Sequence, residues 1–312
     1  MFRRLPPVAR RDERIARLTR KLKNERQRLV QNPSYQVRLN EERRLRALEL
    51  EIGAPSRSVI AWGKFHVYDL VRSHGIDVPV QHGLWTDPAD IPWDTLPDAV
   101  VVKAAFGAAS HGVFPVRRAH GGWRVAARDE VVTGEQLSAD LGALVEAGRA
   151  RPPFGAEEYL DDGSGRSPDD IKVYTFYGEA PLALLRRVTR HGDGSTAAFR
   201  VVDRRGADLL DWYPDRPTDP SIPVPDALEE AFDVAERVST VVRAPFSRID
   251  LYDVDGRIVF GEVTPRPGSP GWFGPDLDVV LGQAWERAQV RLWRDIAEGM
   301  SPQPEWGPLR QE

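Results

Sequence analysis

Ser247-Arg248-Ile249-Asp250-Leu251-Tyr252-Asp253-Val254-Asp255-Gly256-Arg257-Ile258-Val259-Phe260-Gly261-Glu262-Val263-Thr264-Pro265-Arg266 reads as two strands joined by a tight turn at Asp253-Val254-Asp255-Gly256. Each strand carries a carboxylate, Asp250 or Glu262, within an apolar run. Carboxylates seldom sit inside strands without a partner. A divalent cation is a common partner for two converging carboxylates, and the pair suits Mg²⁺ carrying a nucleotide triphosphate.

Side chains alternate along a strand, so the turn decides whether the two carboxylates meet. A two-residue Asp255-Gly256 turn would put them on opposite faces. A three-residue turn, Val254-Asp255-Gly256 with Gly256 left-handed, pairs Arg248 with Glu262 and Asp250 with Phe260. One face then carries Arg248, Asp250, Tyr252, Phe260, Glu262 and Thr264, and the other carries Ile249, Leu251, Val259 and Val263 as core. Without a cation, the same pattern describes an amphipathic hairpin with a solvated polar face.

A chain of 312 residues can bury a large core and hold about two domains. It has no apolar run of membrane-spanning length and no apolar segment at its charged N-terminus, so neither a span nor a secretory signal is expected. With no Cys, the chain has no disulfides, no thiolate catalysis and no Cys-ligated zinc. The reading is a cytoplasmic protein. Charge is split: residues 1–50 carry about +9 and the remainder about −13. A basic arm invites a nucleic-acid reading, but Glu and Asp are interspersed and no aromatic platform follows, so nucleic acid is not expected as a partner. Ile15, Leu18, Leu22 and Leu29 have heptad-like spacing. The arm is therefore read as an amphipathic helix packing on the body or on a second subunit as a homodimer, with an acidic lipid or polymer surface as the alternative.

Helices are predicted over 10–32, ended by Pro33, and over 37–52. The pair should pack through Leu18, Leu22, Leu45 and Leu48. A third helix is predicted over 58–75 and a short strand over 76–80. Strands then dominate, with helices at 135–148, 226–242 and 277–298. The organisation expected is a basic helical extension (1–52), a segment preceding the core (53–98), a lid subdomain (99–160), a catalytic and metal subdomain (161–300) and a tail (301–312). The class is α+β with largely antiparallel sheets, not a doubly wound pattern.

Lys103 ends the apolar run Val100-Val101-Val102 and needs an anionic partner or a wet cleft. The small-residue stretch Phe106-Gly107-Ala108-Ala109-Ser110-His111-Gly112 reads as a hairpin tip whose backbone N–H groups can approach phosphate oxygens. Glu157-Glu158-Tyr159-Leu160 ends a strand and can offer backbone groups to an adenine edge. Arg186, Arg187, Arg190 and Arg200 flank a flexible turn at Gly192. They could clamp a planar oxyanion or lie on the surface.

The order of these pieces resembles the ATP-grasp superfamily, and more narrowly its TupA-like branch, named after a teichuronopeptide-biosynthesis protein. The resemblance runs over about residues 60–280 through Leu96-Pro97-Asp98-Ala99-Val100-Val101-Val102-Lys103, Glu157-Glu158-Tyr159-Leu160, Asp169-Asp170-Ile171-Lys172-Val173-Tyr174-Thr175-Phe176-Tyr177-Gly178, and Arg248-Ile249-Asp250-Leu251-Tyr252 with Phe260-Gly261-Glu262-Val263-Thr264. It implies an ATP-grasp fold that holds ATP and Mg²⁺ between two α+β subdomains. It implies that Lys64 and Lys103 hold phosphates, with Ser110 and His111 in the lid above them. Glu157, Glu158 and Leu160 would form the adenine hinge, Glu158 and Leu160 through backbone. Asp170 and Lys172 would reach ribose or phosphate. Asp250 and Glu262 would be metal carboxylates, with Thr264 where the superfamily usually has Asn. Arg266 matches an arginine that often follows this motif, and, beside that resemblance, Arg248 and Arg187 are read with it as the catalytic cations. The implied reaction joins a small carboxylic acid and an amine at the expense of ATP. A kinase of a sugar or hydroxyl on the same fold, and a non-catalytic nucleotide-binding module, are the alternatives.

Overall fold

Pro33 has no N–H to give a helix, and the Ser34 side chain accepts from Val37 N–H to cap the helix that follows. The N-terminal region is therefore two helices, α1 (Pro7–Gln31) and α2 (Tyr35–Glu51). The structure is a computed structural model that describes residues 7–54, 56, 58, 62–107, 112–126, 130–161, 168–188, 197–209, 218–268 and 273–309. Helix α3 is shorter than expected, Lys64–Ser73. The strand expected at 76–80 is absent: Pro79 has no ladder donor, and β1 begins after it at Gln81–Trp85.

Two sheets follow, and all their pairings are antiparallel. The first contains β1, β2 (Ala99–Gly107), β3 (Val113–Ala119), β4 (Gly122–Val125), β5 (Val131–Val132) and β6 (Ala150–Glu158), in the order β1-β6-β2-β3-β4-β5. The second contains β7 (Asp170–Thr175), β8 (Leu182–Val188), β9 (Ala197–Val202), β10 (Ser247–Val254) and β11 (Arg257–Thr264), in the order β11-β10-β7-β8-β9. Helices α4 (Gly134–Glu146), α5 (Leu228–Val242) and α6 (Pro275–Ala297) complete the α+β fold. Among the described residues, no helix is long and apolar enough to cross a membrane.

Helix α4 starts at a capping box of Thr133 and Gln136 and buries Leu137 and Leu141 against Val100, Val102 and Phe154. On the opposite face of β2, Ala105 meets Phe65 and Tyr68 of α3, which also join the core between α5 and Ile171, Val173, Ile249 and Leu251 of the second sheet. The other face of that sheet packs Tyr174, Phe176 and Leu184 against Trp285 of α6 and Tyr35 and Leu39 of α2. One end of this face is left uncovered by α6, and the charged residues gather there.

The N-terminal helices do not pack as expected. Leu18, Leu22, Leu45 and Leu48 are 47%, 71%, 48% and 52% exposed. Helix α2 is instead anchored at its start. Tyr35 makes edge contacts with Tyr174, Phe176, Phe246 and Phe273, and burying this aromatic ring outweighs the leucine stripe.

The β10–β11 hairpin puts the carboxylates together by a different route from the one expected. The turn has two residues, Asp255 and Gly256, with φ of 52° and 82°. Val254 pairs with Arg257, which is the tight Asp-Gly turn of a hairpin. That register would separate Asp250 from Glu262. A β-bulge restores it: Leu251 pairs with Phe260, Asp250 pairs with Glu262, and Gly261 is the extra residue. Glycine is needed there, because a Cβ at Gly261 would lie 2.6 Å from the Tyr252 ring and 3.2 Å from the Asp250 carbonyl oxygen. Gly261→Ala should therefore cost about 1–3 kcal/mol of stability. Urea unfolding reads this, and an unchanged midpoint would contradict the close packing.

Candidate active site

The uncovered end of the second sheet carries alternating charge. Asp170 faces Arg186 across β7 and β8, Lys172 faces Asp250 across β7 and β10, and Asp250 faces Glu262 across β10 and β11. Asp250 is the centre of this network and is 4% exposed. Arg248 grips it with two bonds, Nε to Oδ1 at 2.6 Å and Nη2 to Oδ2 at 2.7 Å, and Lys172 Nζ reaches Oδ2 at 2.7 Å. Burial pushes the Asp250 carboxyl upward, but Arg248 and Lys172 outweigh burial and hold it below its ordinary value. Arg248 also donates to the Thr264 hydroxyl at 3.1 Å. Asp170 accepts from Arg186 at 2.9 Å and lies 3.3 Å from Lys172.

Lys64 opens α3 and approaches Glu262 at 3.7 Å, with the Glu262 side chain 46% exposed. These side chains line a cleft of about 1200 Å³ together with Arg46, Arg151 and Arg266. Its described lining carries seven Lys and Arg against three carboxylates, Glu49, Asp250 and Glu262. Such a field favours a polyanion.

Two carboxylates facing each other across a ladder, with a hydroxyl beside them, make a hard oxygen donor set. Among the described residues no group of three or more metal-ligating side chains occurs. That sparseness fits Mg²⁺, which binds through one or two carboxylates and completes its shell with phosphate oxygens and water. It does not fit a metal held by protein alone.

Lys103 and Glu157 are not among the residues that line this cleft. They form a buried ion pair at 2.7 Å, with side chains 8% and 7% exposed. Lys103 also donates to the Tyr68 hydroxyl at 2.6 Å, and Tyr68 donates to the Gly261 carbonyl at 3.1 Å. Glu157 Oε2 is buried and has no partner among the described residues. Next to it, Glu158 donates its N–H to Val80 O at 2.8 Å, so this N–H is already used inside the sheet. Its carboxylate accepts from Arg257 at 3.0 Å. Leu160 is buried at the strand exit. Arg117 braces that exit, lying over the Tyr159 ring and pairing with Asp161.

The structure thus brings Lys64, Lys172, Arg248, Asp250, Glu262, Thr264 and Arg266 to one cleft. Ser110 and His111 lie outside the described residues. Arg187 is not in the cleft: alternation along β8 turns it away, onto Asp169 at 2.7 Å. Its neighbour Arg186 lines the cleft instead. Arg187 shares parity with Ala183 and Leu185, which are as buried as Leu182 and Leu184, so the sequence did not separate the two arginines. Tyr68 was missed because a tyrosine inside an amphipathic helix reads as core.

The chain has likenesses to known proteins at the level of a family model and of solved structures. The family model for TupA-like ATP-grasp matches residues 44–286. No curated protein matches the chain. Among solved structures, the chain is similar to the ATP-grasp ligase PsnB complexed with minimal precursor, at 17% identity and a TM-score of 0.41, covering 72% of this chain and 59% of that one. It is also similar to D-alanine–D-alanine ligase from Bacillus anthracis complexed with ATP, at 15% identity and a TM-score of 0.49, covering 82% of this chain and 76% of that one. A third similarity is to the D-cycloserine synthetase DcsG, at 16% identity and a TM-score of 0.45, covering 73% and 71%. The chain spans about three fifths of the length of PsnB.

Proposed function

We propose, for a chain that belongs to the TupA-like ATP-grasp family, that it is an ATP-dependent carboxylate–amine ligase. ATP with Mg²⁺ is the nucleotide of that family. The observation that carries the reading is the facing pair Asp250 and Glu262, ringed by Lys64, Lys172 and Arg248, at the floor of a cationic cleft.

In the reaction proposed, a carboxylate oxygen of the acid attacks the γ-phosphorus and the bond to the bridging oxygen of ADP breaks. An amine nitrogen then attacks the acyl carbon, the bond to phosphate breaks, and the nitrogen loses a proton. The product is an amide, ADP and inorganic phosphate, on a small amino-acid-like, natural-product or cell-envelope precursor.

Asp250 and Glu262, with Thr264 beside them, would hold Mg²⁺, which when bound neutralises phosphate charge and fixes its geometry. Lys64 and Lys172 neutralise the remaining phosphate oxygens. Lys103 has three donors, of which Glu157 and Tyr68 take two, and the third serves the nucleotide. Glu157 and Leu160 border the base, the Glu158 side chain is committed to Arg257, and Asp170 orients Lys172. Arg248 and Arg266 face the transferred phosphoryl and the acid. Positioning and charge neutralisation then supply most of the rate, and no side-chain nucleophile is required. A second copy of the chain would cover Leu18, Leu22, Leu45 and Leu48, and the cytoplasm would supply the ATP.

ADP release is the test, run with a panel of carboxylic acids crossed with a panel of amines. Turnover that requires both an acid and an amine supports the ligase. ADP release that needs only a hydroxyl acceptor would replace it with the kinase reading, and no release in any mixture would favour a nucleotide-binding module.

A further inference from the structure

Helix α2 belongs to the N-terminal extension, yet its last turns form a wall of the cleft. Arg46, Glu49 and Leu50 line it, followed by Gly53 and Ala54. A latch fixes this wall. The Arg43 guanidinium donates to the carbonyls of Pro267, at 2.6 Å, and Gly268. These two residues follow directly on Arg266, which lies two positions past Thr264 and so beyond the metal carboxylates. The latch therefore draws α2 against the loop that carries Arg266.

Arg266 is half-buried and makes no hydrogen bond or ion pair among the described residues. Arg46 lines the same cleft as Arg266. Desolvating an arginine beside another arginine is unfavourable unless an anion occupies the space between them. Glu42 and Glu49 are the acids near it. Glu49 is engaged by Arg46 at 3.0 Å, one turn along the same helix and 28% exposed. A pair of this kind is worth only a few tenths of a kcal/mol, so an incoming anion can exchange with it. Each of the other cations of the cleft has a neighbour within this structure, and Lys64 approaches Glu262 at 3.7 Å. Arg248 and Lys172 hold Asp250, Arg186 holds Asp170, and Arg151 lies over the Phe106 ring.

We propose that Arg46 of α2 and Arg266 of the β11–α6 loop form a subsite for a second anionic group of the acid substrate, so that the acid is a dianion such as a dicarboxylate. The inference rests on the ligase reading and names the substrate class for it. One carboxylate is presented toward the metal carboxylates for activation. The other is held by the two guanidiniums, whose planar donors match a carboxylate. The subsite makes the N-terminal extension part of the substrate site.

Paired probes test it: glutarate against its monoamide, and succinate against its monoamide, with ATP, Mg²⁺ and hydroxylamine as the amine. The diacid should be preferred in kcat/KM by about tenfold to a hundredfold, the value of one or two charged hydrogen bonds, with the difference in KM. In Arg46→Ala the ratio should fall toward one, and Arg46→Lys should recover part of it. No preference in the wild type, or a preference that survives Arg46→Ala, would overturn the subsite. A second arm needs no turnover: thermal unfolding with a non-hydrolysable ATP analogue and Mg²⁺. Glutarate should raise the midpoint more than its monoamide in the wild type and lose that advantage in Arg46→Ala. Equal shifts would overturn the subsite. An advantage seen here with no ADP release for any acid would overturn the ligase reading and leave the subsite standing.

Discussion

Glu262→Gln is expected to lose turnover by about a hundredfold or more while keeping its stability, whereas Asp250→Asn loses both. The two residues face each other across one ladder and differ in surroundings. The Glu262 side chain is 46% exposed and its nearest cation is Lys64 at 3.7 Å. Neutralising it should change stability by no more than about 0.5 kcal/mol and remove one metal ligand, whose charge supplies several kcal/mol to phosphoryl transfer. Asp250 is buried, and both Arg248 and Lys172 depend on it. Breaking a buried pair by removing one partner costs about 3–5 kcal/mol, so Asp250→Asn should also unfold early in urea. The pH dependence has the same origin. The Asp250 pKa is depressed in the folded chain, so its contribution is present above the unfolded carboxylate pKa and is lost as pH falls through the folded value. The acid-side loss of stability should be smaller in Asp250→Asn than in the wild type. Full activity in Glu262→Gln would remove the metal assignment.

Lys103→Met should destabilise the chain by about 3–5 kcal/mol, because it leaves Glu157 buried without its cation. Glu157 already has one oxygen without a partner, so losing the other bond is severe. The double variant Lys103→Met/Glu157→Gln should be more stable than Lys103→Met alone, since no buried charge remains. A urea double-mutant cycle measures this. The same variants should weaken nucleotide binding, because Lys103 also holds Tyr68 against the Gly261 bulge that orients Glu262. If Lys103→Met unfolds like the wild type, the pair is a surface contact and the account of the hinge is wrong.

Much of this arrangement was legible in the sequence. Carboxylates inside strands marked Asp250 and Glu262, and a lysine ending a valine run marked Lys103. The class and most elements followed from periodicity and from Pro33. The route to the shared carboxylate face was not legible. A two-residue Asp-Gly turn and a three-residue turn both end in Gly256, and only the bulge at Gly261, set by the approach of Tyr252, decides the register. The packing of α2 was also hidden, because leucine spacing signals an amphipathic face but does not say what covers it. Tyr35 docks on aromatic rings from β7 to α6, more than a hundred residues away. Arg186 and Arg187 differ only in parity along β8. The α2 wall could not be seen, because Arg43 reaches backbone carbonyls that carry no sequence signature.

The central claim is that a carboxylate is activated by phosphoryl transfer, and oxygen transfer tests it most directly. An acid that supports ADP release is labelled with ¹⁸O in its carboxylate, turned over with ATP and an amine, and the inorganic phosphate is analysed by mass. The account predicts that one carboxylate oxygen appears in the phosphate and the rest stays in the amide. Unlabelled phosphate, or label and phosphate together in a stable phosphorylated product, would contradict it.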